Sequence, residues 1–142
     1  MSPRARLALV LALVAGGAGL AATPSTAQSI EDGHHATTGY VHADGTIEDS
    51  HHATVGYIQG DGTIEDSHHS TIGYTRGDTV EDSHHATVGY VHGDGTIEDS
   101  HHSTIGYVHQ DGTVEDSHHS TIGHAGGVRT DWAAVVFFFM KF

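Results

Sequence analysis

From residue 45 to residue 61 the chain alternates short apolar-rich stretches with runs of turn formers, and most of its length repeats the alternation. Thr46–Asp49 and Thr54–Ile58 are rich in β-branched and aromatic residues and are bounded by Gly, Asp or Ser. Such a unit reads as strand, turn, strand, turn. One turn carries Asp-Gly, as at Asp61-Gly62, Asp94-Gly95 and Asp111-Gly112. The other carries two adjacent histidines: His34-His35, His51-His52, His68-His69, His84-His85, His101-His102 and His118-His119. The diads are spaced 17, 17, 16, 17 and 17 residues apart. A fixed period this short marks one supersecondary unit copied in tandem.

Register follows from burying the apolar positions together. Residues directly opposite in an antiparallel pair share a face, so Ile47 is expected opposite Val55, across a three-residue loop Ser50-His51-His52. Loops of that length end in a left-handed residue, which places His52 at positive φ, where histidine is enriched among non-glycine residues. An Asp-Gly hairpin turn with two residues at positive φ would pair Gln59 with Ile64. One face then holds Ile47, Asp49, Ala53, Val55, Tyr57 and Gln59. The other holds Thr46, Glu48, Thr54, Gly56 and Ile58 and is mostly polar. Asp78 lacks the following glycine, which shortens one connection by a residue, and the last unit has His124 where others have tyrosine.

A lone hairpin is marginal in water, so six hairpins, about twelve strands, must share a core. A closed ring and a stacked solenoid both achieve this, and tight turns every eight or nine residues favour the ring of consecutive hairpins. The fold class expected is all-β: tandem 17-residue β-hairpin repeats in a shallow pseudo-symmetric barrel or ring over residues 28–127. Residues 128–142 form an apolar C-terminal segment that closes it. Within that segment residues 132–140 are nine uninterrupted apolar residues, too few to span a membrane as a helix. They suit a buried strand or short helix plugging the ring. An outer-membrane barrel strand is the alternative, although the repeat strands are short for that role; left exposed, the segment would be an aggregation hazard.

Residues 1–27 show another pattern. Arg4 and Arg6 precede an apolar run, and small residues follow up to Ala27. This order is that of a secretory signal peptide, so the protein is expected to be exported, to the periplasm or beyond, with cleavage after Ala27. With no cysteine in the sequence, neither disulfides nor a lipid-modified cysteine are expected. Residues 28–142 hold all 18 acidic residues and only Arg76, Arg129 and Lys141 as bases, a side-chain charge of 3 − 18 = −15 with histidine neutral. Nucleic acid and anionic membrane surfaces are poor partners for such a surface. Protonating all 16 histidines would bring the sum to +1.

Repeat and tail together resemble the five-fold β-flower proteins, small exported bacterial proteins with tandem DGTIED and TIGY stretches and an ending similar to W-A-A-V-x-F-F-F. The matching stretches are residues 61–66 with 71–74, 94–99 with 104–107, and 132–139. The resemblance implies a shallow barrel of hairpin petals around an apolar central channel. It also implies Asn-Gly in the turn where this chain has His51-His52. It brings no established activity.

Three readings of function follow. Imidazole suits Zn, Ni and Cu, so the twelve diad histidines, all on one rim of a ring, are candidate metal ligands. No spacing among them defines one closed site. His42, His92, His109 and His124 form a second set at the opposite end of the hairpins, not pooled with the diads. A small apolar ligand in a central channel is the second reading, with Tyr40, Tyr57, Tyr74, Tyr90 and Tyr107 lining one face. A purely structural role is the third. Catalysis is not expected: Asp-Ser-His recurs in five of six units, but a triad needs fixed geometry rather than adjacency.

Overall fold

The computed structural model describes residues 26–142; all but the last two residues of the expected signal peptide lie outside the described residues. Twelve strands follow in order: β1 (Gln28–Asp32), β2 (Thr37–Val41), β3 (Thr46–Asp49), β4 (Thr54–Ile58), β5 (Thr63–Asp66), β6 (Thr71–Arg76), β7 (Thr79–Asp82), β8 (Thr87–Val91), β9 (Thr96–Asp99), β10 (Thr104–Val108), β11 (Thr113–Asp116) and β12 (Thr121–His124). Each pairs antiparallel with its sequence neighbours, and β1 pairs with β12 to close a barrel of six hairpins. Closure removes the free edges that a row of short strands would otherwise expose.

The histidine turns have the expected three-residue loop. Asp49 N–H donates to Ala53 O, His52 N–H donates to Asp49 O, and His52 sits at φ 63°. The second histidine of every diad has φ of 62–63°. The Asp49 carboxylate holds the turn, accepting the amides of His51 and Ala53 at 2.8 and 3.0 Å.

The pairing beyond the loop differs from the expectation. Glu48 opposes Thr54, but Ile47 opposes Gly56, leaving Val55 as a bulge. A bulge adds one residue to one strand and so reverses the alternation beyond it. Gly56 and Ile58 therefore turn inward with Ile47, and Tyr57 turns outward beside Thr46 and Glu65. Every hairpin repeats this shift, so the tyrosines cover the outer face and do not line a channel.

The Asp-Gly connection also differs. Gln59 N–H donates to Thr63 O, and only Gly62, at φ 90°, is left-handed. The loop is Gly60-Asp61-Gly62, three residues rather than two, and it pairs Ile58 with Ile64. The Asp61 carboxylate stabilises it by accepting the Thr63 amide at 2.9 Å. The shortened connection at Gly77-Asp78 is the two-residue turn, with Arg76 opposite Thr79.

The corrected register builds the core in layers. Ile30, Ile47, Ile64, Val80, Ile97 and Val114 form one buried ring. Val41, Ile58, Val91, Val108 and Ala125 form a second, in which Thr75 holds the remaining place. A barrel of about eight strands is filled by its own side chains; twelve leave more room, and the C-terminal segment occupies it. That segment is a short helix α1 (Thr130–Ala134) followed by a π-helical turn, Val135–Phe139, with Met140 N–H donating to Val135 O. Trp132, Ala133, Ala134 and Val135 are buried inside the barrel. Among the described residues no helix is long and apolar enough to cross a membrane.

Candidate functional site

Six glycines, Gly39, Gly56, Gly73, Gly89, Gly106 and Gly123, face the barrel interior, one per hairpin, and each is tight against a carbonyl of the next strand. At five of them a missing Cβ makes room for a side chain of the tail. The Phe137 ring lies over Gly123, Phe138 over Gly106, Phe139 over Gly89, the Met140 methyl over Gly73 and Phe142 over Gly56. The tail thus advances around the ring by nearly one residue per hairpin. Six hairpins divide the circle into steps of about 60°, whereas an α-helix turns about 100° per residue. The wider π turn, closing over five residues rather than four, rotates less per residue and suits that spacing better.

Gly39 is the exception. Its nearest neighbours are backbone atoms of Glu48 and Asp49, with no tail side chain over it. A cavity of ≈470 Å³ lies here, lined by Thr38, Gly39, Ile47, Val55, Lys141 and Phe142 among others. The first hairpin also departs from the rest at the bulge position: Thr38 stands where the others have Val55, Ile72, Val88, Ile105 and Ile122. The Thr38 hydroxyl donates to Ile30 O at 3.2 Å. Sequence reasoning did not find this socket, because only the pairing of glycines with tail residues reveals it.

The histidines lie on the outside. The second imidazole of each diad packs flat on the aromatic ring of the preceding hairpin: His52 on Tyr40, His69 on Tyr57, His85 on Tyr74, His102 on Tyr90 and His119 on Tyr107, with centroids 4.3–4.5 Å apart. His35 closes the circle on His124. Each of these six also places Nδ1 2.8–3.1 Å from a glutamate four residues earlier. The first histidines of the diads, His34, His51, His68, His84, His101 and His118, are exposed in the turns.

Of the second set, expected to stand apart, His42, His92 and His109 reach the same carboxylates. His42 Nε2 lies 3.2 Å from the Glu48 oxygen that also receives His52, and His92 and His109 stand 3.0 Å from Glu98 and Glu115. Gln59 takes this place beside Glu65, and Arg76 beside Glu81. Glu48 is held below its ordinary value by His52 and then His42, Glu98 by His92 and then His102, and Glu115 by His109 and then His119, and the Glu98 contact raises His92. Among the described residues no three His, Asp or Glu side chains converge as a ready metal site.

The repeated Asp-Ser-His is not arranged as a triad. Ser50 Oγ lies 3.3 Å from His51 Nδ1, but the Asp49 carboxylate is occupied by backbone amides and does not orient the imidazole. The same holds at Asp66, Asp82, Asp99 and Asp116.

No curated protein and no solved structure matches the chain. The model of one family, described as 5-fold beta-flower protein, matches residues 27–141. Six hairpins close this barrel under a description that counts five. With the tandem hairpins, the closed ring and all but the last residue of the plugging tail within the matched stretch, the chain belongs to the 5-fold beta-flower protein family.

Proposed function

We propose that this is an exported, non-catalytic binding protein that holds a small apolar ligand in the socket beside Gly39. The observation that carries the reading is the mismatch of six interior sockets with five tail side chains. A cavity of ≈470 Å³ is within the size range of small-molecule sites, which are mostly apolar with a few placed polar groups. Export rests on the order of charged, apolar and small residues over residues 1–27. The non-catalytic role is supported by the repeated turn aspartates, which are committed to backbone amides. Titrating the protein with toluene or benzyl alcohol should shift the methyl resonances of Ile47 and Val55 saturably. Shifts spread evenly over all six hairpins, or none, would overturn the reading.

A second reading, capture of Zn, Ni or Cu, is favoured by the meeting of two imidazole nitrogens on one carboxylate at Glu48, Glu98 and Glu115. Two histidines and a glutamate are a known three-ligand zinc set, and Nε2 of His42 and of His92 is buried without an aligned hydrogen bond. The side chains would have to turn to converge. This reading expects zinc to raise the Tm, and to do so much less in a variant with His42, His92 and His109 replaced by glutamine.

A further inference from the structure

The vacant socket carries chemical information beyond its apolar lining. Four of the five filled sockets hold a phenyl ring, so the space over an inward glycine, between two bulge residues, suits a flat six-membered ring. Gly39 offers the same floor, with Thr38 and Val55 as the bulge residues on either side. No ring is among the atoms nearest Gly39, and Phe142, seated over Gly56, only borders the space. Lys141, between Met140 and Phe142, is the tail residue that takes no socket, and it lines this cavity while remaining exposed.

The charges around the cavity are unequal in their availability. Glu48 and Asp49 also line it, but Glu48 is engaged by His42 and His52, and Asp49 by the amides of His51 and Ala53. Lys141 forms no ion pair among the described residues, and it is the one cation in the lining. The Thr38 hydroxyl also lines the cavity, but its proton is given to Ile30 O.

We propose that the Gly39 socket is a site for a small aromatic carboxylate, its ring lying over Gly39 as the tail rings lie over the other glycines and its anionic group meeting the Lys141 ammonium. This rests on the reading that the socket binds a ligand at all and adds the ligand's class. No covalent step is involved. The barrel supplies shape, and the single lysine supplies the sign of charge.

The test compares three probes that share a phenyl ring, phenylacetate, benzyl alcohol and phenethylamine, by calorimetry and by amide shifts at Gly39. Phenylacetate should bind once per chain and more tightly than the other two. Lys141→Met should weaken phenylacetate about tenfold, the scale of one charge-assisted contact, and leave benzyl alcohol unchanged. Val55→Phe, which places a ring in the socket, should abolish binding of all three; an unchanged melting curve would show that this variant is folded. Equal binding of the three probes, or no effect of Lys141→Met, would overturn the carboxylate assignment and leave an apolar site standing. Absence of saturable binding by any probe to the unaltered protein would overturn both.

Discussion

The imidazoles of His35 and His124 stack with centroids 4.1 Å apart and planes 9° from parallel. They join the first hairpin to the last, where β1 meets β12. At the five other junctions the partner of the diad histidine is a tyrosine. The seam is therefore the one place where two basic rings lie face to face.

His124→Tyr should make the seam like the other junctions. Aromatic stacking contributes about 0.5–1.5 kcal/mol beyond area, and the phenol presents a larger ring to His35. The variant is expected to melt a few degrees higher. Absence of a gain would show that the seam is not weakened by its second imidazole.

Positive φ at His52 sets a backbone cost against a side-chain gain. A residue with a Cβ loses about 1–2 kcal/mol in the left-handed region, while the imidazole gains the Tyr40 stack and the Glu48 contact. His52→Ala keeps the strain and loses both contacts; His52→Gly loses the contacts and the strain together. Chemical denaturation should rank the alanine variant below the glycine variant by about 1 kcal/mol. The reverse order would mean that the turn, despite its 63° φ, carries no backbone strain.

Phe138 and Gly106 form one interior contact, and their substitutions should not add. Phe138→Ala removes a ring from the plug and is expected to cost about 3 kcal/mol, the lower end for a phenylalanine truncation since the ring is only half-buried. Gly106→Ala introduces a Cβ 2.4 Å from that ring and 2.5 Å from the Glu115 carbonyl. In the Phe138→Ala background only the second clash remains, so a double-mutant cycle should give a coupling of about 0.5–3 kcal/mol. Additive effects would separate the glycine from the ring.

Stability should depend on pH in two directions. The turn aspartates Asp32, Asp49, Asp66, Asp82, Asp99 and Asp116 are held below their ordinary value of 3.8 by backbone amides, chiefly that of the residue four positions on. Their contribution is complete above that value and is lost as the pH falls through the lower folded values. His92 runs the opposite way. Its pKa is raised from 6.5 by the Glu98 contact, so its contribution is complete below 6.5 and lost as pH rises through the higher folded value. Glu48, Glu98 and Glu115, lowered from 4.5, act in the same sense as the aspartates, so melting temperature should plateau between roughly pH 4.5 and 6.5, drop on the acid side and show a shallow shoulder on the basic side. His92→Gln should remove its part of that shoulder and leave the acid limb intact.

The strands, their number, the histidine loop and the left-handed second histidine were all legible in the repeat. The face assignment was not. Val55 lies in a stretch whose alternation looks regular, and nothing in Thr-Val-Gly-Tyr-Ile marks its second residue as a bulge. Gly60 looks like the end of a strand, although it belongs to a three-residue loop closed by Gly62. Together these moved Ile58 inward and Tyr57 outward. The joining of His42 to His52 through Glu48 follows from the same change, because it requires the strand interval between them to present one outer face. The plug was visible as an apolar run, but its match of each ring to one glycine is long-range and leaves no local trace.

That match has a consequence for how such rings change in size. Hairpins are added in steps of about 17 residues, whereas the tail extends by single residues, and nothing in the chain couples the two increments. A barrel enlarged by one hairpin over an unaltered tail gains a chamber without any residue having been altered to make it. In this chain the place beside Gly39 is such a remainder, six divisions filled by five. A binding cavity can therefore arise from an inequality of counts, before any side chain is selected to suit a ligand.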